Sequence, residues 1–268
     1  MNGMLFRVHK KENIYFYISL MVSVVLYYCW YVLCTRVLGS MYIGVFCFYA
    51  IVIGICLLFA HIILIGHLAG NAVEITKDQL PEVHKIIENQ SQILELSNTP
   101  TMYLLQGDGI LNGFATRFLG TNYVVLYSDM LEIAFTEGIE AVEFIIAHEL
   151  GHIKRNHTGL FKKLLLLPSL LVPFLRSAYS RACEYTCDNI GFSLSPEGAR
   201  KGLLILASGK SLYKKINLEA YVRNANNASG FASWFAEICS THPHLTKRLE
   251  NVGLRPDDYT VNKQSARD

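Results

Sequence analysis

The segment AHELGH, residues 147–152, contains two histidines and a glutamate at a spacing that suits metal chemistry. Residues four apart lie on the same face of an α-helix, so His148 and His152 can present ring nitrogens to one metal ion. Glu149 lies next to the first ligand and can take a proton from a water that the metal activates. A catalytic zinc needs a third protein ligand and leaves a fourth position open to water or substrate. Without that third ligand, the segment is one turn of an ordinary helix.

A candidate for the third ligand lies in the segment SRACEYTCDNIG, residues 180–191. Glu184 and Asp188 are four residues apart. On one helix face, Glu184 could bind the metal and Asp188 could accept a hydrogen bond from the second ring nitrogen of a ligating histidine. The alternative is that both are solvated acids. The HELGH segment upstream favours the ligand interpretation. Cys183 and Cys187 are interpreted as small packing residues.

The remaining sequence predicts a mixed domain that positions these residues. Segment 74–96 has apolar residues at helical spacing, and segment 101–131 is typical of short strands separated by glycine and asparagine turns. Segment 136–157 returns to the helical period, which places the HELGH residues on a helix. The polar tail, residues 254–268, is expected to fray.

Three further side chains, those of His157, Tyr185 and Arg248, lie in or beside these motifs. His157 follows two basic residues and does not share the face of His152 well, so we expect it at the surface. Tyr185 and Arg248 could approach the site, but the sequence gives no geometry for either.

Two long apolar stretches precede this domain. No Asp, Glu, Lys or Arg occurs from 14 to 35 or from 37 to 73, and each stretch exceeds the roughly 20 residues that cross a bilayer as a helix. A signal peptide is the alternative for the first stretch, but its apolar run is too long and no cleavage site follows. We therefore predict a membrane anchor at 1–73 with two transmembrane helices in an antiparallel hairpin. Three basic residues before the first stretch, against one in the turn, favour a cytoplasmic N terminus.

A third apolar segment, LLLLPSLLVPFL at 164–175, is not expected to cross the membrane. Twelve helical residues cover only about 18 Å, short of the hydrocarbon core, and two prolines interrupt them. A crossing here would also place His148 and Glu184 on opposite sides, where they could not share one ion. We therefore predict a buried or interfacial segment.

Charge and cysteine content exclude some functions. The formal net charge of +2 gives no electrostatic case for nucleic-acid binding. Four of the seven cysteines lie in the apolar stretches, and the other three are an odd number without a disulfide pattern. This cysteine usage indicates a reducing compartment.

The motifs together resemble the family of membrane zinc metallopeptidases that includes the HtpX-type quality-control proteases, the mitochondrial Oma-type protease and the CAAX prenyl proteases. The resemblance covers most of residues 70–250 in the family's order. It implies an α+β, zincin-like metallopeptidase domain at 74–253, mostly helical with a small sheet. The blocks that carry it are NGFAT (112–116), YVVLYSDML (123–131), AHELGHIKRNH (147–157), SRACEYTCDNIG (180–191) and THPHLTKRL (241–249).

The resemblance implies one zinc ion per chain with an assigned set of residues. Zinc would be bound by the two histidines and the later glutamate, with the following aspartate supporting a ligand. Glu149 would be the general base, and a His-Pro histidine near the end of the domain would assist at the active site. Carried onto this sequence, the metal ligands are His148, His152 and Glu184, the supporting residue is Asp188 and the assisting residue is His242.

The resemblance also implies a binding site for substrate. The strand near Tyr123–Leu126 is implied to pair with the extended chain, after an element whose substrate-binding residues are Asn112, Gly113, Phe114 and Ala115. The sequence departs from the family pattern at Gly113, Arg117 and Cys187, which affects the geometry of the substrate strand and the packing behind the ligand. None of these departures removes a ligand or the base.

The sequence thus predicts a membrane-anchored zinc-dependent endopeptidase. Its substrates in protein quality control would be unfolded or extended polypeptides, membrane proteins among them, and the lipid bilayer would be its other partner. We expect an integral protein of a bacterial inner membrane, with the catalytic domain in the cytoplasm because the charge bias favours a cytoplasmic N terminus and two crossings return the chain to that side. The alternative is a catalytically silent membrane adaptor that keeps a structural zinc, and an intact Glu149 argues against it because a structural site has no use for a base.

Overall fold

The computed structural model describes residues 6–107, 113–209, 212–228 and 230–253, and within them the chain is mostly helical with one small sheet. Both features agree with the predicted fold class. The elements, in chain order, are α1 (Lys10–Val32) with a π-helical turn (Leu33–Leu38), α2 (Ser40–Asn71), β1 (Val73–Glu74), α3 (Pro81–Ile93), β2 (Thr101–Leu105), β3 (Gly113–Phe118), β4 (Thr121–Tyr127), α4 (Ser128–Glu137), α5 (Glu140–Lys154), α6 (Leu160–Leu165) with a 3₁₀ turn (Leu167–Leu171), α7 (Leu175–Leu194), α8 (Pro196–Ser208) with a 3₁₀ turn (Tyr213–Lys215), α9 (Leu218–Asn227), α10 (Phe231–Cys239) and α11 (Leu245–Asn251).

The sheet is mixed, with the strand order β1-β2-β4-β3. β2 and β4 are parallel, whereas β3 and β4 form an antiparallel hairpin with Phe114 opposite Val125. Val124, Val125 and Leu126 of β4 are fully buried, as expected for a strand with a neighbour on each side. Within the described residues, β3 is therefore an edge strand, and it faces α5.

Helix α5, which carries the HELGH residues, lies at the centre of the domain between α7, α8 and the sheet. The sequence period predicts one apolar face, but in the structure every residue from Ala141 to Gly151 except Glu143 is buried. Two glycines allow the neighbouring helices to come this close. A Cβ on Gly191 would lie 2.7 Å from the Phe144 ring, and one on Gly151 would lie 3.3 Å from the Cys187 sulfur. The close approach brings α7 to the histidines of α5.

Helices α1 and α2 are long and apolar enough to cross a membrane, by length and composition. The distribution of polar and apolar side chains is the reverse of that on a helix of a soluble protein. The buried residues of α1 are polar, namely Glu12, Ser19 and Ser23, whereas its large apolar side chains are exposed. At the turn between the two helices the rings of Trp30 and Phe46 are in contact, with centroids 4.3 Å apart. This distribution suits a helix that faces lipid outside and protein inside.

The apolar segment after α5 does not form a long helix in the described structure. It consists of the short α6 and a 3₁₀ turn that contains Pro168, in agreement with the sequence prediction. The segment packs on α1: the backbone N–H of Ser169 donates to the Ser23 hydroxyl at 3.2 Å, and the Tyr27 hydroxyl donates to the Leu164 carbonyl at 2.8 Å. The segment therefore lies against the part of α1 between Ser23 and Tyr27.

Candidate active site

The structure brings together the three residues that the sequence predicts as metal ligands. The Nε2 atoms of His148 and His152 each lie 3.4 Å from a different carboxylate oxygen of Glu184. The three ligand atoms lie within 4.8 Å of one another. Glu184 and His148 are buried, and all three residues line a cavity of about 350 Å³. Helices α5 and α7 thus present three donor groups to one point.

This arrangement fits a zinc ion by its donor types and by its spacing. Two imidazole nitrogens and one carboxylate form a donor set of catalytic zinc sites, with the fourth position left to the cavity. Two donors at about 2.0–2.1 Å from one ion, at tetrahedral angles, are separated by about 3.4 Å. The observed distances of 3.4 Å between the histidine Nε2 atoms and the Glu184 oxygens match this separation of donors.

The electrostatics of the site also favour a cation. Burial alone would lower the pKa of His148, but hydrogen bonds to Asp188 and Glu184 outweigh it and raise the pKa to about 10. Burial likewise opposes ionisation of Glu184, yet the histidines hold the pKa of its carboxyl well below the ordinary value. The buried carboxylates therefore attract positive charge to this point, as either a proton or a metal ion.

Asp188 lies behind His148, as the spacing predicted. The Nδ1–H of His148 donates to an Asp188 oxygen at 3.0 Å, which leaves Nε2 directed at Glu184. Sequence reasoning gave no geometry for Arg248, whose guanidinium donates to both oxygens of Asp188 at 2.8 and 2.6 Å. Burial alone would raise the pKa of Asp188, but the charge of Arg248 outweighs it and lowers the pKa. The carboxylate is thus fixed in its ionised form.

His152 has a different partner behind it. Its Nδ1 lies 3.1 Å from Nδ1 of His157, and Nε2 of His157 donates to a Glu12 oxygen at 3.2 Å. Arg155 donates to the same oxygen at 2.9 and 3.1 Å. Burial lowers the pKa of His157 to about 4, so its ring is neutral and carries one proton. With that proton facing Glu12, Nδ1 of His157 accepts from His152, whose Nε2 then has a free lone pair.

The expectation that His157 is exposed was wrong: 7% of its side chain is exposed. The five-residue spacing from His152 would point away on a continuous helix, but α5 ends at Lys154. Asn156 then adopts a left-handed backbone conformation, and the N–H of His157 donates to the His152 carbonyl at 2.9 Å. This turn folds the ring back beside the site.

Other groupings at the site contain cysteine. Cys187 lies near His152 and His157, and Cys183 lies near Glu12 and His157. Burial raises the pKa of the Cys183 thiol to about 12 and that of Cys187 well above its ordinary value. Both groupings also need His157, whose two ring nitrogens already face His152 and Glu12, so they are less suited to an ion than the histidine and glutamate set.

The predicted base and the predicted assisting histidine both lie at the cavity. Glu149 is 7% exposed and lines it from α5. His242 lines it from the segment before α11, with Nε2 3.8 Å from a Glu184 oxygen and 61% of its side chain exposed. The base is therefore held by a buried helix, whereas the histidine has room to move.

The predicted substrate-binding element lies along one wall of the cavity. Gly113, Phe114 and Ala115 of β3 line it, and a Cβ on Gly113 would be 3.6 Å from the Glu149 side chain. Asn112 lies outside the described residues. The implied pairing of substrate with the strand near Tyr123–Leu126 does not fit, because β4 is hydrogen-bonded to β2 and β3. The strand edge available beside the site belongs to β3.

Comparison with known proteins gives a consistent set of similarities. The sequence profile of "Peptidase family M48" matches residues 77–174 and 159–255. The plastoglobule-localized metallopeptidase 48 of Arabidopsis thaliana is 26% identical over 209 residues, which are 68% of this chain and 59% of that protein. A protease HtpX homolog of Streptococcus uberis is 24% identical over 235 residues, 68% of this chain and 76% of that protein. The crystal structure of S. mikatae Ste24p aligns with a TM-score of 0.47 and 15% identity over 79% of this chain and 57% of that chain.

Proposed function

Because the chain belongs to peptidase family M48, we propose that it is a membrane-anchored zinc-dependent endopeptidase that cuts extended polypeptide. One observation carries the proposal. His148, His152 and Glu184 converge at tetrahedral spacing beside Glu149, in a cavity that an edge strand borders. Each of these features has a use in peptide hydrolysis, and a structural metal site would need neither the base nor the open wall.

The residues divide the reaction between them. His148, His152 and Glu184 would hold zinc, which supplies Lewis acidity for the scissile carbonyl and lowers the pKa of water. Glu149 accepts the proton of the attacking water and later donates it to the leaving amine. His242 would donate a hydrogen bond to the oxyanion, and its exposed ring can adjust to the bound substrate.

The substrate would lie along β3. An edge strand offers backbone N–H and C=O groups to an added strand, which selects for extended chain over folded segments. Gly113 has no side chain between this edge and Glu149, so the substrate backbone can approach the base closely. Unfolded or damaged polypeptides meet this requirement, which supports a role in protein quality control.

The test uses the full-length chain in detergent or vesicles with an unstructured polypeptide as substrate. We expect cleavage that a chelator abolishes and that added zinc restores. Cleavage that persists in chelator would contradict a metal-dependent mechanism. Stoichiometric zinc without any cleavage would instead favour the silent membrane adaptor.

The proposal places the chain in a membrane, such as a bacterial inner membrane, with the catalytic domain in the cytoplasm. Two crossings return the chain to its starting side, and the segment packed on α1 adds none. In a cysteine-free chain, single cysteines at Arg7, Lys77 and Glu197 should all react with an impermeant thiol reagent from the cytoplasmic side. Opposite labelling at Arg7 and Lys77 would exclude the hairpin, and opposite labelling at Lys77 and Glu197 would show a further crossing.

A second prediction follows from the contact between α1 and the metal site. Glu12→Gln removes the charge that holds His157 against His152, so zinc affinity should fall by about 10-fold, within the range for changes to a ligand's hydrogen-bond partner. Competition with a chelating dye measures it. The matched control is Glu82→Gln on the exposed start of α3. Equal affinity in the two variants would show that the Glu12 contact does not support the ligand.

A further inference from the structure

Helix α10 has an aromatic face that the described protein does not cover. Phe231, Trp234 and Phe235 are spaced so that they share one side of the helix. They are 77%, 55% and 45% exposed, and their rings contact one another with centroids 5.8 and 5.9 Å apart. A contiguous exposed apolar patch of this kind marks an interaction surface.

This face continues into the segment before α7. The rings of Phe174 and Phe235 meet edge to face, 6.2 Å apart. Leu167 and Leu171 of the 3₁₀ turn are also exposed, at 51% and 77%. We refer to the combined surface as the apolar ridge, and its residues are Leu167, Leu171, Phe174, Phe231, Trp234 and Phe235.

The polar side of α10 is fixed to the domain, which directs the ridge outward. The Arg181 guanidinium of α7 donates to the carbonyls of Glu237, Ile238 and Ser240 at 2.8, 3.0 and 2.7 Å. The Glu237 and Ile238 carbonyls lie in the last turn of α10 and Ser240 is its C-cap residue, at the end where a helix leaves acceptors short of intrahelical partners. Their satisfaction by Arg181 removes a large cost of placing this helix end in a medium without water.

The position of the apolar ridge along α1 indicates whether water or lipid surrounds the ridge. Ser169, between Leu167 and Leu171, bonds to Ser23. Ser23 lies about 20 Å from Lys10 along the helix at 1.5 Å per residue. The contact is therefore beside the middle of the uncharged run 14–35, which would lie in hydrocarbon if α1 spans the bilayer. Phe174 follows this turn three residues after Leu171 along the chain, and its ring contacts Phe235 of α10.

We propose that the apolar ridge inserts into one leaflet of the lipid bilayer beside α1. The proposal rests on the membrane anchor of the proposed function. Tryptophan and phenylalanine on one face of a short amphipathic helix suit the region between headgroups and acyl chains. Exposed Lys163 and Arg176 flank the 3₁₀ turn, where they can reach lipid phosphates.

Insertion of the ridge would set the position of the cleft. The end of α10 leads directly to His242, and Lys163 lines the same cavity as the candidate ligands. The active site would then open at the membrane surface instead of facing bulk water. This specifies the substrate class as polypeptide segments that lie on, or emerge from, the bilayer.

The chain has two tryptophans, Trp30 in α1 and Trp234 in the ridge, and this permits a direct test. The full-length Trp30→Phe variant, in phosphatidylcholine and phosphatidylglycerol vesicles, reports on Trp234 alone. Lipids brominated at acyl positions 6 and 7 should lower its fluorescence at least about 2-fold, and lipids brominated at positions 11 and 12 should lower it less. Aqueous acrylamide should quench it weakly.

Two matched variants distinguish a wrong ridge proposal from a wrong membrane anchor. Trp234→Phe reports on Trp30, which brominated lipid should quench if α1 spans the bilayer. The fluorescence of Lys77→Trp, in a chain that also carries Trp30→Phe and Trp234→Phe, should be quenched only by acrylamide. The ridge proposal would be overturned if brominated lipid quenches Trp30 while only acrylamide quenches Trp234. Protection of Trp234 from both quenchers would also overturn it, in favour of a protein partner such as a second copy. An unquenched Trp30 would overturn the membrane anchor itself.

Discussion

Glu149→Gln is expected to retain one zinc ion per chain and to lower kcat for peptide hydrolysis by about 10²–10⁴-fold, the range for loss of a general base. The glutamine side chain has nearly the same shape, so the buried turn of α5 that holds His148 and His152 should not change. What it loses is the carboxylate that accepts the proton of the attacking water. Metal analysis and steady-state kinetics on the same preparation provide the two measurements.

The control for this variant is a glutamate that the cavity does not contain. Glu82→Gln, on the exposed start of α3, should leave both zinc content and kcat unchanged. Unchanged turnover in Glu149→Gln would exclude this residue as the base. Loss of zinc together with activity would instead indicate that Glu149 helps to hold the metal.

Patterns within single helices were the most predictable part of the site. His148 with His152, and Glu184 with Asp188, each follow the four-residue spacing that defines one helix face, and the structure brings both pairs together. The resemblance drawn from the motif blocks is confirmed by the match to peptidase family M48. The small sheet and the short, interrupted segment 164–175 also follow from local signals.

Partners from distant parts of the chain were not predictable in this way. Arg248 reaches Asp188 across 60 positions, and Glu12 reaches His157 across 145. No period connects such pairs, because the packing of whole helices decides which of them meet. One local signal was nevertheless present in α1: Glu12, Ser19 and Ser23 are separated by seven and four residues, which places them on one face.

The error at His157 has a related cause. A spacing rule holds only while the helix continues, and α5 ends before this residue. The strand near Tyr123–Leu126 is enclosed for a topological reason, since a sequence does not show which strand stands at the edge of a sheet. The chain order β3-β4 becomes a hairpin in which β4 lies between β2 and β3, so β3 takes the outer position in the sheet of the described residues.

Glu184→Ala should weaken zinc binding by more than about 100-fold, beyond the 10–100-fold range for changes to a ligand's hydrogen-bond partner. Glu184 supplies both oxygens that face His148 and His152, so its loss leaves two donors from one helix. Metal affinity is measured by competition with a chelating dye. An unchanged affinity would contradict the ligand set and would direct attention to Cys187, the nearest thiol grouping.

Asp188→Asn separates support of the ligand from support of the fold. Zinc affinity should fall by about 10–100-fold, because an amide oxygen is a weaker acceptor for the His148 ring. The variant should also destabilise the metal-free chain by about 3–5 kcal/mol, since it leaves the guanidinium of Arg248 buried without its carboxylate. Denaturant unfolding in the presence of chelator measures this second effect. Glu184→Ala, assayed in the same way, should lose less stability because Arg248 keeps its bidentate contact with Asp188. Equal losses of stability in the two variants would show that the ion pair with Arg248 is not what holds α11 against α7.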